Sequence, residues 1–143
     1  MLGAMPHPDS APVAQRWIVL LAHGSRQPSW ANPFAAVLEQ VRAARTDCRV
    51  ELAFVESMAP LLVDALREAA RAGCRDLHLV PLLLGAGGHL RRDIPQAIET
   101  VAAEHPELRV HVAPAAGEHD GVIAALAAFA ARSAPRPDPD RLR

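Results

Sequence analysis

Four short apolar segments, 17-WIVLLA-22, 50-VELAFV-55, 77-LHLVPLLL-84 and 109-RVHVAP-114, recur at regular intervals and constrain the fold more than any other feature. The first and third are nearly continuous in apolar residues, as strands covered on both faces must be. Helical spacing fills the gaps. In 33-PFAAVLEQVRAAR-45, Phe34, Val37, Leu38 and Val41 share a face, with Asn32 placed as cap and Pro33 as first helical residue. A second helix, 60-PLLVDALREAARA-72, starts at a proline and stops at Gly73. A third is predicted over about 92–104 and a fourth over about 120–132. The order βαβαβαβα implies one four-stranded parallel α/β sheet with right-handed crossovers and helices on both faces. A flavodoxin-like half-lobe of strand order 2-1-3-4 is the expected arrangement.

The chain of 143 residues suits one domain. That domain is placed at residues 16–132, between a lead (1–15) and a Pro- and charge-rich tail (133–143), both predicted to be disordered. A net charge of -1 gives no reason to expect nucleic acid or an anionic membrane as partner. The N-terminus lacks the basic start and unbroken apolar core of a signal peptide, and 17-WIVLLA-22 is too short to span a bilayer. Cys48 and Cys74, without CxxC spacing, read as small buried hydrophobes and suit a reducing cytoplasm. All fifteen basic residues are arginine. Genomic composition bias explains this more simply than a preference for guanidinium where anions are held in fixed geometry.

In open parallel sheets ligands bind beyond the carboxyl ends of the strands. Each of the first three strands ends there in a possible metal ligand: His23 in 20-LLAHGSR-26, Glu56 in 53-AFVES-57 and His89 in 85-GAGGHL-90. With strand order 2-1-3, His23 is central and flanked by the other two. Two imidazoles and a carboxylate suit Co²⁺, Fe²⁺, Ni²⁺ or Zn²⁺. Taken singly, each is more simply explained as a turn cap or a solvated loop residue; the shared rim is what raises the metal reading. His119, opening the fourth helix, is a minor candidate, while His78 and His111 fall inside strands and His105 in a turn.

Ser25 sits in a loop without the GxSxG elbow of a nucleophile and reads as a hydrogen bonder, a candidate to contact the ligand beside Arg26, or as a turn residue. Neither 24-GSRQPS-29 nor 85-GAGGHL-90 has the spacing of a phosphate cradle. Arg26, Arg91 and Arg92 are candidates for bidentate contact with carboxylates, with solvated charge the stronger reading for Arg92. Gly85, Gly87 and Gly88 would let a broad, flat ligand lie against the backbone, with His89 facing its centre. A metal together with such a ligand points to a tetrapyrrole.

These residues resemble the small sirohydrochlorin chelatases of cobalamin and sirohaem biosynthesis, relatives of the class II chelatases. The resemblance rests on HGSR with Asn32 downstream, AFVE followed by Pro60, and VPLLLGAGGHLRRDIP, and covers residues 17–117. It implies ATP-independent insertion of Co²⁺ or Fe²⁺ into sirohydrochlorin, an octacarboxylated tetrapyrrole, with no cofactor beyond the substrate metal. It also implies that His23, Glu56 and His89 handle that metal. The chain carries no histidine-rich stretch and no cysteine cluster for an iron–sulfur centre. It has half the length of the two-domain chelatases, so a homodimer with facing rims is expected to complete the cleft. The alternatives are a metal-binding or metal-delivery protein without ring chemistry, and a flavodoxin-like module for an anionic cofactor.

Overall fold

The computed structural model describes residues 15–85 and 87–142, with the side chains of His89 and Leu142 outside the description. The predicted lead therefore lies outside the described residues except for Gln15. Four strands, β1 (Arg16–Ala22), β2 (Arg49–Phe54), β3 (Asp76–Pro81) and β4 (Arg109–Val112), form one parallel sheet in the order β2-β1-β3-β4. Four helices, α1 (Asn32–Ala44), α2 (Leu62–Arg71), α3 (Gly88–Glu104) and α4 (Asp120–Ser133), follow the strands in turn. Beyond α4, the chain ends in a 3-10 turn at Pro139–Leu142.

Alternation along β1 explains why the sheet is clothed on two sides. Trp17, Val19 and Leu21 point into a cluster with Leu62, Leu66 and Ala69 of α2 and Ile94 and Val101 of α3. Ile18 and Leu20 point the other way, toward Leu38 and Val41 of α1. Leu21, Leu66, Leu77, Leu79 and Val101 are fully enclosed, and burying each is worth about 1.5–3 kcal/mol. The α2–α3 side is thus the main core.

Three helix starts differ from expectation. Helix α2 begins at Leu62 rather than at Pro60: the Ala59–Pro60 peptide is cis and Leu61 stays extended as the N-cap. Asn32 does not cap α1: a 3-10 turn, Pro28–Ala31, runs straight into the helix, and Asn32 already has helical angles (φ -54, ψ -45). Helix α3 begins four residues earlier than the sequence predicts, at Gly88, and carries Pro95 in its interior. Leu90 and Ile94 are buried at i, i+4 and continue the stripe that ends at Val101; their packing outweighs the proline's missing N–H.

Cys48 and Cys74 are buried free thiols, as expected of small hydrophobes. Burial pushes the Cys74 thiol up to about 11 and raises Cys48 too. The thiolate is the reactive form. Neither cysteine is therefore expected to react with a thiol reagent at neutral pH until denaturant is added. Rapid labelling of the native protein, followed by absorbance, would contradict this packing.

Candidate metal-handling rim

The loops after β1 and β2 are zipped together beyond the ends of the strands. Val55 N–H donates to the Ala22 carbonyl at 3.0 Å, and Glu56 N–H to the His23 carbonyl at 3.1 Å. Gly24 makes this possible. It has φ +98, and a Cβ there would collide with the Glu56 carbonyl group, so only glycine lets the two backbones pass so closely. On the far side of Glu56, Ser57 takes a positive φ of 63, the Ala59–Pro60 peptide is cis, and the Phe54 N–H returns to the Pro60 carbonyl at 2.9 Å.

This scaffold brings two of the three candidate ligands together. His23 Nε2 lies 3.1 Å from Glu56 Oε1, with the side chains 48% and 57% exposed. A carboxylate facing Nε2 favours the tautomer that donates from Nε2 and leaves the lone pair on Nδ1. The same separation also fits two atoms binding one divalent cation side by side at about 2.1 Å each. His89 lies in the first turn of α3, at the same end of the sheet; its side chain is outside the described residues. Among those described, no third histidine, cysteine, aspartate or glutamate joins the His23–Glu56 pair.

Other rim candidates sort by what they touch. Ser25 Oγ accepts the Gln27 N–H at 3.1 Å, the turn role expected of it. His119 is not at the pair: it caps α4, its Nδ1 accepting the Gly121 N–H at 3.0 Å. His78 and His111 stack on β3 and β4 with ring centroids 4.9 Å apart, and His105 ends α3, 3.5 Å from Glu107. Gly85, Gly87 and Gly88 meet nothing within 4 Å of an added Cβ. The space they leave is open rather than filled by the protein's own chain.

The arginines divide in the same way. Arg42, Arg45, Arg49, Arg67 and Arg109, on the body of the lobe, each engage carboxylates. Arg45 and Asp47 share two short bonds of 2.7 and 2.8 Å, which hold the Asp47 carboxyl down at about 2. Arg26 and Arg91, at the rim, make no ion pair with a described residue. Arg92 Nε donates back to the Gly88 carbonyl at 3.4 Å.

Sequence reasoning missed the groove beside Arg91. About 380 Å³ in volume, it runs between the start of α3 and the ends of β3 and β4, lined by Leu83, Leu90, Pro95 and Val112 with Arg91 and Glu118. Leu90 and Ile94 at helical spacing were the available signal, hidden by the later helix start.

A four-stranded parallel lobe with an imidazole–carboxylate pair on its carboxyl rim, beside guanidiniums that meet no described carboxylate, defines a chelatase-like α/β lobe. The chain belongs to the CbiX family, whose model matches residues 17–133. It is 29% identical over 109 residues to the sirohydrochlorin ferrochelatase of Bacillus subtilis (strain 168), covering 76% of this chain and 42% of that protein. Among solved structures, it matches a "Putative cobalamin (vitamin B12) biosynthesis CbiX protein" from Marinobacter aquaeolei VT8 with a TM-score of 0.71 and 30% identity, over 82% of this chain and 96% of that one. The sirohydrochlorin chelatase SirB from Bacillus subtilis subspecies spizizenii, in complex with cobalt, gives a TM-score of 0.73 and 27% identity, over 90% and 58%. The chain spans only 42% to 61% of the length of the first curated relatives it matches. No described helix is long and apolar enough to cross a membrane.

Proposed function

We propose that this chain is a sirohydrochlorin chelatase, inserting Co²⁺ or Fe²⁺ into sirohydrochlorin without ATP, in the cytoplasm, for cobalamin or sirohaem synthesis. The observation that carries this reading is the His23–Glu56 pair, 3.1 Å apart on the exposed rim, in a chain of the CbiX family. The relatives' names speak of cobalt and iron; nickel and zinc, admitted by the ligand types alone, find no support there.

Insertion requires two pyrrole N–H protons to leave as the dication enters, so the ring core ends neutral around the metal. His23 is assigned to metal binding and proton acceptance, with Glu56 orienting the imidazole and acting as third ligand or proton relay. His89, from the first turn of α3, is assigned to metal delivery. Holding the cation beside the ring makes its transfer nearly intramolecular. The open backbone at Gly85, Gly87 and Gly88 leaves room for a flat macrocycle, and Arg26 and Arg91 are free to meet its peripheral carboxylates. One lobe offers one wall of a cleft; a homodimer supplies the second.

Adding Co²⁺ and sirohydrochlorin to the purified protein is expected to change the visible spectrum of the ring far faster than without protein. A protein that binds Co²⁺ yet leaves the ring spectrum at the uncatalysed rate would instead be a metal-delivery protein. Arg26→Ala and Arg91→Ala should each raise KM for sirohydrochlorin more than they lower kcat, with lysine rescuing only in part. Unchanged kinetics in both variants would return these arginines to solvated surface charge.

A further inference from the structure

Helix α1 begins on the rim, because the chain leaves β1 at its carboxyl end and must run back along the parallel sheet before β2 starts. What packs on the core marks its sheet-facing stripe: Val41 and Leu38 lie against the cluster of Leu20, Cys48 and Val50. The 3-10 turn Pro28–Ala31 runs straight into the helix. In steps of four residues toward the N-terminus, the same stripe therefore continues through Phe34 to Trp30. Neither aromatic packs against a core cluster. Each helical turn advances about 5.4 Å, so the two stand about one and two turns beyond Leu38, toward the rim. There they pack on each other, with ring centroids 4.7 Å apart and planes tilted by 32°.

This aromatic ledge is fixed to the loop that carries His23. The Gln27 N–H donates to Ser25 Oγ and the Trp30 N–H to the Gln27 carbonyl, both at 3.1 Å. The chain from Ser25 to Trp30 is thus two linked turns rather than an open loop. Trp30 and Phe34 are half-buried, whereas the other tryptophan, Trp17, is 1% exposed in the core. Arg26 lies between Ser25 and Trp30 in the same loop, where the proposed function sets it against peripheral carboxylates. An aromatic face next to a guanidinium matches a ligand with a flat conjugated body and an acidic edge.

We infer that Trp30, backed by Phe34, stacks on the conjugated face of the bound macrocycle and holds the ring beside the His23–Glu56 pair. The identity of that ring rests on the proposed chelatase function. Imidazole and carboxylate recognise the cation, and guanidiniums recognise the carboxylates. Trp30 adds selection for a flat π surface, which none of those groups provides. The purely structural alternative is that Trp30 and Phe34 only staple the entry to α1.

Trp30→Leu keeps an apolar side chain but removes the ring face. It is expected to raise the Kd of metal-free sirohydrochlorin, read from its visible absorption, by about 10-fold, and to raise KM more than it lowers kcat. Trp30→Phe should keep most of the affinity. The d–d bands of bound Co²⁺ should match wild type in both variants, since no metal ligand is touched. Because Trp17 is enclosed, acrylamide quenching of the wild-type protein reports Trp30, and bound sirohydrochlorin should shield it. Should Trp30→Leu fold poorly, this shielding carries the test. A lower melting temperature in Trp30→Leu with macrocycle affinity unchanged would reduce the pair to a staple and overturn the inference. So would acrylamide quenching that sirohydrochlorin leaves unaltered. A wild-type protein that binds no sirohydrochlorin would defeat the chelatase reading and the stacking contact together. Trp30-dependent binding without metal insertion would defeat the proposed reaction only.

Discussion

His23→Ala is expected to slow metal insertion by about two to four orders of magnitude, the usual contribution of a positioned proton acceptor, and to abolish the visible d–d bands of bound Co²⁺. The side chain is 48% exposed and sits outside both core clusters, so thermal stability should change little. That separates a chemical role from a structural one. His89→Ala should behave similarly if it delivers the metal. Glu56→Gln should cost less, about 10- to 100-fold, because an amide oxygen can still meet Nε2 and the metal but cannot take up a proton. His105→Ala is the control: it lies at the far end of α3, paired with Glu107, and should leave both readouts unchanged. Full activity in His23→Ala, with the Co²⁺ bands retained, would remove the pair from the mechanism.

The second large effect is expected at Gly24, and Gly73 supplies its internal comparison. Both have strongly positive φ, +98 and +91. Alanine at either position incurs left-handed strain of about 1–2 kcal/mol. At Gly73, after the end of α2, nothing lies within 4 Å of an added Cβ, so strain is the whole cost. At Gly24 the new methyl would meet the Glu56 carbonyl, a backbone group locked to His23 by a 3.1 Å bond. The β1 and β2 loops must then separate, and the His23–Glu56 pair with them. Gly24→Ala should therefore lose about 3 kcal/mol or more in urea unfolding and nearly all insertion activity, whereas Gly73→Ala should lose about 1–2 kcal/mol and keep its activity. Equal losses in the two variants would show that the close passage at Gly24 does not hold the site.

Periodicity determined most of the fold. Nearly continuous apolar runs such as 17-WIVLLA-22, separated by helical stretches, left a parallel sheet with helices on both sides as the economical way to bury them. That pattern also put His23, Glu56 and the start of the glycine loop at one end, because each closes a strand or follows one. The roles of Ser25 as a turn residue and of Cys48 and Cys74 as buried hydrophobes were legible too, since they depend on local chemistry.

What only the tertiary structure decided are the contacts between elements distant in sequence. That His23 meets Glu56, thirty-three residues away, at 3.1 Å follows from strand register and from Gly24, whose need for a missing side chain is set by a backbone on another loop. The start of α3 at Gly88 was fixed by burying Leu90, against the local signal of Pro95. His119, a rim candidate by position, proved to be a helix cap because its ring turns toward its own Gly121 N–H. The division of arginines into paired and unpaired was invisible for the same reason: a guanidinium reads alike in sequence whether or not folding sets a carboxylate beside it. Spacing along the chain specifies which faces are apolar, while register, close approach and pairing exist only once those faces have come together.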